Sequence, residues 1–266
     1  MIDEDKLKQL ELTYFQNGYD VPYNLKKGGE ILIKPILVKD YSLYEWAKQI
    51  LEIKKNEIND IKVIQMSYLE FLIECMIKQE KEFGEQLFTL LNLTLCEDNI
   101  KVVQDKGKDC IVICETNDDV KYVISSKEFD DISKIVLNQN DANYDNRYIT
   151  PEVQEMMQEF YKVKYKDVSS PSLEKRKSFV SSKTGILTKD LNNITCREFD
   201  NIYHANVDSE IYIGQKIIQA SEKYKVEEDI KHPLFEKKKD PYAEIFEDTS
   251  ILSGKGINGA EKLAQM

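Results

Sequence analysis

His204 and His232 are the only histidines of the chain, and the five cysteines are Cys75, Cys96, Cys110, Cys114 and Cys196. Metal or nucleophilic chemistry would have to be built around these residues. His204 falls on a predicted helix over 197–206 and His232 immediately precedes Pro233. Neither has a cysteine or an acidic pair at metal-ligand spacing, so no zinc site is predicted, and neither has an identifiable nucleophile as neighbour. Ser172-Leu173-Glu174-Lys175 spells S-x-x-K and Lys183-Thr184-Gly185 spells K-T-G, strings shared with penicillin-recognising serine acyl enzymes. That chemistry needs the two strings on a helix start and a distant strand. Here they fall within one helical hairpin, and S-D-N is missing. Ser253-Gly254-Lys255-Gly256 lacks the leading glycine and the preceding buried strand of a phosphate loop.

The cysteines are odd in number, spread out and set among apolar residues, the usage of a reducing compartment. Cys110 and Cys114 flank Ile-Val-Ile, so on a strand they share a face with Val112, too extended to close a tetrahedral metal site. Structural burial is their expected role. With 48 Asp and Glu in the chain, neighbouring carboxylates arise by abundance. Asp118-Asp119 and Asp130-Asp131 accordingly read as a turn and a polar first helical turn rather than as an acid–base pair or a magnesium site. The expectation is a protein without catalytic residues, cofactor or metal, one that binds rather than reacts.

Two groups of residues are candidates for binding. Tyr41, Tyr44 and Trp46 surround the start of a predicted helix, and rigid aromatics dominate binding hot spots. Tyr44 and Trp46 cannot face the same way on a helix, so one is expected in the core while another faces outward. Near the C-terminus, Pro233-Leu234-Phe235 and Tyr242 with Ile245 and Phe246 form isolated apolar clusters in a charged segment. They read as anchors that dock as an extended piece and a helical turn, or that pack back onto the chain's own body.

The elements that position these residues follow from punctuation and periodicity. S/T-x-x-E capping boxes at Ser42/Glu45, Ser67/Glu70, Ser125/Glu128 and Thr195/Glu198 each precede an apolar run, and Thr150-Pro151-Glu152 adds a proline-type helix start. They predict helices from Ser42 to about Lys55, after Ser67, over 83–95, after Ser125, and over 151–164, 173–182, 188–193, 197–206 and 210–224. Residues 31–38 read as an edge strand because Pro35 cannot donate to a ladder. Residues 100–125 contain three β-branched runs separated by turn-forming stretches, and they predict an antiparallel meander with Cys110, Val112 and Cys114 on one face and Ile111 and Ile113 on the other. The fold class is therefore α+β, predominantly helical, with a small three-stranded meander plus an edge strand, a helical second half and a mobile C-terminal tail. The expected divisions are an N-terminal arm (1–30), an α+β domain (31–140), a helical domain (141–225) and an extended or disordered tail (226–266).

Composition excludes some partners. A net charge of −11 with no basic stripe disfavours direct nucleic-acid binding. No apolar run approaches the roughly 20 residues of a membrane span, and the N-terminus has no signal core, so a cytosolic protein is expected.

The string PILVKDYSLYEWAKQILEIKKNEINDIKVIQMSYLEFL resembles the opening of proteins encoded in the tail modules of long-tailed bacteriophages of Gram-positive bacteria. There a P-[I/L]-x-[V/M]-K-D-Y entry, a K-N-x-I link and an M-S-Y-L-x-F helix follow in that order. FDDISKIVLNQNDANYDNRYITPEV, TKDLNNITCREFDNIY and the H-P-L-F tail are similar as well. The resemblance implies a non-enzymatic tail assembly chaperone or baseplate assembly protein in the host cytoplasm, holding a tail component such as the tape measure protein, with self-association as a further implied property. The alternative it leaves open is a structural tail or baseplate subunit retained in the virion.

Overall fold

A computed structural model describes residues 2–53, 55, 60–105, 107–115, 119–142, 144, 156, 159, 171–221 and 230–233. The chain divides into two units, Met1–Tyr148 with Pro171–Asn206, and Ile149–Ser170 with Val207–Met266. The fold is α+β and helix-rich, with two small antiparallel sheets.

In the first unit, helix α1 (Glu4–Thr13) leads into a hairpin of β1 (Val21–Asn24) and β2 (Glu30–Ile33), paired with Val21 opposite Ile33. Its turn is closed by Gly28 and Gly29, both at positive φ, and a Cβ on Gly29 would lie 2.6 Å from the Tyr122 ring. Glycine is required there on both counts. The predicted strand over 31–38 is thus shorter and earlier, ending before Pro35 and pairing with a strand that the Pro22-containing loop pattern concealed.

Residues 2–30, expected as an arm, are instead part of the core. Ile2, Leu7, Phe15, Val21 and Leu25 are buried with the main apolar cluster. Polar side chains of helix α7 (Ser126–Asn140) fasten this segment from the other side. Asp131 accepts from the Ile2 backbone at 2.6 Å and from the Tyr23 hydroxyl at 3.0 Å. Glu128 accepts from Lys26 N–H at 2.6 Å, and the Gln139 amide donates to Tyr19 C=O at 3.1 Å. These partners lie more than 100 positions apart, beyond the reach of any local pattern.

Helix α2 (Tyr41–Ala47) follows a 3₁₀ turn over Val38–Asp40. Because that turn runs straight into the helix, Tyr41 is already helical and Ser42 lies inside, so the predicted Ser42/Glu45 capping box does not form. The helix also stops at Ala47 and resumes as α3 (Gln49–Glu52), short of Lys55. Next come α4 (Ile61–Gln65), α5 (Tyr68–Phe71) continued by a π-helical turn over Leu72–Ile77, and α6 (Lys81–Leu95). Ser67 and Glu70 do form their reciprocal box, as do Ser125 and Glu128 at the start of α7.

The meander is as predicted: β3 (Ile100–Asp105), β4 (Lys108–Cys114) and β5 (Val120–Ser125) pair in sequence order. Ile111, Ile113 and Ile124 join the main core, while Cys110, Val112 and Cys114 form a separate buried cluster on the other face. Helix α8 (Leu173–Thr184) and the first residues of α9 (Cys196–Ala220) build a second cluster from Val38, Val180, Leu191 and Phe199. Residues 171–206 therefore belong with the N-terminal unit, where a separate helical domain from 141 was expected.

Helix α9 is continuous where two helices were predicted. The Asn206-Val207-Asp208 stretch is rich in weak helix formers but contains neither proline nor glycine, and the Asn206 side chain donates back to Ile202 C=O at 2.7 Å within the helix. The predicted helix over 151–164, apart from residues 156 and 159, and most of the segment 226–266 lie outside the described residues.

Candidate functional site

Helix α2 separates two sites because its aromatics point in opposite directions. At about 100° per residue, Tyr41 and Tyr44 share one side and Trp46 faces away from it. Tyr44 is 2 % exposed and belongs to the core cluster, so as a surface anchor it is corrected to a buried residue.

The Tyr41–Tyr44 side lines a pocket of about 310 Å³, completed by the end of α7 (Asn140, Asp141), by Arg176 of α8 and by Cys196, Asp200 and His204 of α9. Arg176 organises it. Its guanidinium lies 4.8 Å from the Tyr41 ring centroid and 5.8 Å from those of Phe199 and Tyr203, and its Nη1 donates to Asp200 Oδ1 at 3.0 Å. A planar cation set against aromatic rings and hydrogen-bonded to a carboxylate is a role that suits arginine better than lysine. Lys48 on the same wall is held by Glu45 at 3.0 Å and Glu52 at 3.5 Å.

Burial sets the electrostatics of the pocket. It pushes the Tyr44 phenol well above its ordinary value and the Cys196 thiol up to about 12, so neither ionises near neutrality. Burial also raises the Asp200 carboxyl, against the pull of Arg176 and His204. The Tyr44 hydroxyl and Arg176 Nε are buried without a hydrogen-bond partner.

On the opposite side, Trp46 with Ile77, Gly84 and Phe88 lines an open groove of about 560 Å³ between α2 and α6. Its indole N–H donates to Glu82 Oε1 at 3.3 Å, which fixes the ring while leaving its body at the groove. Lys81, Glu85 and Asn92 give the groove a polar edge. Trp46 is therefore placed where a partner could meet it, as Tyr44 is not.

In the second unit, α9 carries Ile211, Ile213, Ile217 and Ile218, each between 49 and 64 % exposed. Taken at about 100° per residue, they lie on one side of the helix together with Gly214 and the exposed Glu210, while Ser209, Tyr212, Gln215, Lys216 and Gln219 occupy the other. Unlike an ordinary surface helix, this one leaves its apolar arc in solvent.

Pro233 is half-buried in the second unit, and Leu234, Phe235, Tyr242, Ile245 and Phe246 lie outside the described residues. The nearby His232 ring packs at 4.7 Å from that of Tyr212. The acyl-enzyme strings turn out to be helix punctuation: Ser172 accepts from Lys175 N–H at the start of α8, and Gly185 ends that helix at positive φ. Cys110, Cys114 and Cys196 are buried as expected, but Cys75 is half-buried and Cys96 is exposed at the left-handed end of α6.

Sequence reasoning misses Arg176 and Arg197, yet a signal for them exists. The chain has three arginines among its 37 basic residues, and arginine amid abundant lysine marks sites that need its planar fork. Among the described residues no cluster of metal-ligating side chains occurs, and no helix is long and apolar enough to cross a membrane. Compared with protein-family models, with curated proteins and with solved structures, the chain finds no match.

Proposed function

We propose that the chain is a non-enzymatic assembly protein of a long-tailed bacteriophage, binding a tail component such as the tape measure protein in the host cytoplasm during tail or baseplate assembly. The observation that carries this reading is the Trp46 groove, a shallow open depression between α2 and α6 where Trp46, Ile77 and Phe88 lie beside polar residues. A groove of this kind suits the apolar face of a helix, and a fixed indole at its wall supplies an anchor. The exposed isoleucine arc of α9 supports the same reading, because unpartnered apolar surface in a chain of net charge −11 is a feature of proteins that mask other apolar segments. The partner itself comes from the family resemblance in the 35–72 string and the later segments.

The test is coexpression with the tape measure protein of the same phage and co-purification of the pair. Trp46→Ala should reduce capture about tenfold or more, the cost of a central aromatic hot spot, while the variant stays folded. Undiminished capture would remove the groove from the interface. Quantitative mass spectrometry of purified particles beside the infected lysate separates the roles: abundance in lysate with absence from particles is expected, and a fixed copy number per particle would make the chain a structural tail subunit.

A further inference from the structure

The meander ends on an open strand. Among the described residues β3 pairs with β4 alone, with Lys101 opposite Val112, Val103 opposite Cys110 and no bulge between them. Which of its backbone groups face outward follows from one bond. Cys114 N–H donates to Asn99 C=O at 2.9 Å, so residue 99 belongs to a hydrogen-bonded pair of the ladder. Such pairs alternate along an antiparallel ladder, so Lys101, Val103 and Asp105 direct N–H and C=O to β4, while those of Val102 and Gln104 point to the open side. The Cys110 thiol, 3.5 Å from Val103 C=O, agrees with that parity. No hydrogen bond within the described structure reaches the outward groups of Val102 and Gln104. Edge strands are commonly blunted by proline, a bulge or a charge, and β3 has only the charge, Lys101.

This edge is complementary to itself. When two copies run antiparallel about a two-fold axis at Val103, Val102 of each meets Gln104 of the other, and each such pair exchanges two hydrogen bonds between outward groups. On the outer face of the sheet the same register sets Val103 against Val103 and Lys101 against Asp105, the latter on both sides of the axis. The charge that blunts the edge against a foreign strand is therefore met by an opposite charge when the strand is a second copy. Asp105 already accepts from Lys27 at 2.6 Å, but its side chain is 45 % exposed and a carboxylate can accept from two cations. Moving the axis to Val102 would place Lys101 against Val103 and lose the match. Val103, 39 % exposed beside the buried Cys110, gains an apolar neighbour in the Val103 register. We infer that a second copy of this chain docks along β3, joining two meanders into one six-stranded antiparallel sheet, through residues that the Trp46 groove does not use.

Analytical ultracentrifugation of the full chain tests this. One strand edge buries less than the roughly 1,200 Å² of a standard interface, so the dimer should be weak, with monomer at about 1 µM and a mass rising toward twice the monomer by about 200 µM. Gln104→Pro removes an outward N–H at an exposed position and leaves the β4 bonds in place, so it should keep Tm close to that of the unmodified chain and abolish the dimer. Lys101→Asp sets like charges face to face on both sides of the axis and should weaken the dimer about tenfold. Lys101→Asp combined with Asp105→Lys exchanges the signs and should recover most of that loss. A chain that stays monomeric at about 200 µM overturns the inference. So does a dimer that Gln104→Pro leaves unchanged, which would place the contact on another surface, such as the exposed isoleucines of α9. Failure of the double variant to recover overturns the register about Val103.

Discussion

Arg197 is 5 % exposed, donates to Asn138 C=O at 2.5 Å, pairs with Glu11 and lies 5.8 Å from the Phe15 ring centroid, so one side chain ties α9 to α1 and α7. Replacing it with methionine keeps the apolar stem and removes the fork. Because Glu11 is half-exposed and can rehydrate, the expected loss is about 1–3 kcal/mol, read from urea unfolding. Glu128 makes a pH prediction. Its burial alone would raise the carboxyl, but N–H groups of Lys26 and Ser125 and the Ser125 hydroxyl outweigh burial and hold it below the ordinary 4.5. A lowered carboxyl stabilises the fold above its unfolded value, and the contribution disappears as pH falls through the folded value. The stability gap between the unmodified chain and Glu128→Gln should therefore be full at neutral pH and shrink once pH drops below 4.5, as followed by urea midpoints across that range. At this scale the sequence is only partly legible. Tyr44 and Trp46 stand out by type, but nothing near them indicates which faces Arg176, a residue more than 100 positions away.

Secondary elements are most legible where a local device and a periodicity agree. Ser67 and Ser125 begin helices because each side chain exchanges hydrogen bonds with a glutamate three residues on, and the β4 alternation by itself places Ile111 and Ile113 on the core face. Ser42 satisfies the same string and fails because the preceding 3₁₀ turn has already set helical backbone at Tyr41. The three serines make a controlled comparison. Ser67→Ala and Ser125→Ala should each cost about 1 kcal/mol, the usual value of a lost N-cap, whereas Ser42→Ala should be neutral or slightly stabilising as alanine gains helix propensity. Chemical unfolding of the three variants decides it, and an equal cost at Ser42 would contradict a helix that starts at Tyr41. The π turn over Leu72–Ile77 and the break between α2 and α3 have no local signature; both lie in helical sequence and concern how consecutive turns pack against α6.

At the scale of the whole molecule, the sequence conceals the closure of the N-terminus onto α7 and the return of residues 171–206 to the first unit, because both depend on pairings of distant polar residues rather than on pattern. What it carries in full is the helix-rich α+β class and the meander. It also contains, among the described residues of the second unit, a feature that departs from an ordinary surface helix. The sequence predicts a helix over 210–224, and amphipathic spacing normally means that the apolar side is covered. Here the isoleucines are exposed, beside Glu210, and Gly214 lies among them with open space where a Cβ would be. An interior helical glycine costs about 1 kcal/mol relative to alanine, a cost that close approach by a partner would offset. Two substitutions distinguish a partner face from a tolerated accident. Ile211→Gln with Ile217→Gln changes side chains that are already more than half exposed, so Tm should move by little, while capture of coexpressed tape measure protein should fall about tenfold or more if the arc is part of the interface. Gly214→Ala should raise the stability of the isolated chain by about 0.5–1 kcal/mol and weaken capture, because the methyl group occupies the space a partner would enter. Stabilisation with unchanged capture would show that the partner does not approach the helix at that point.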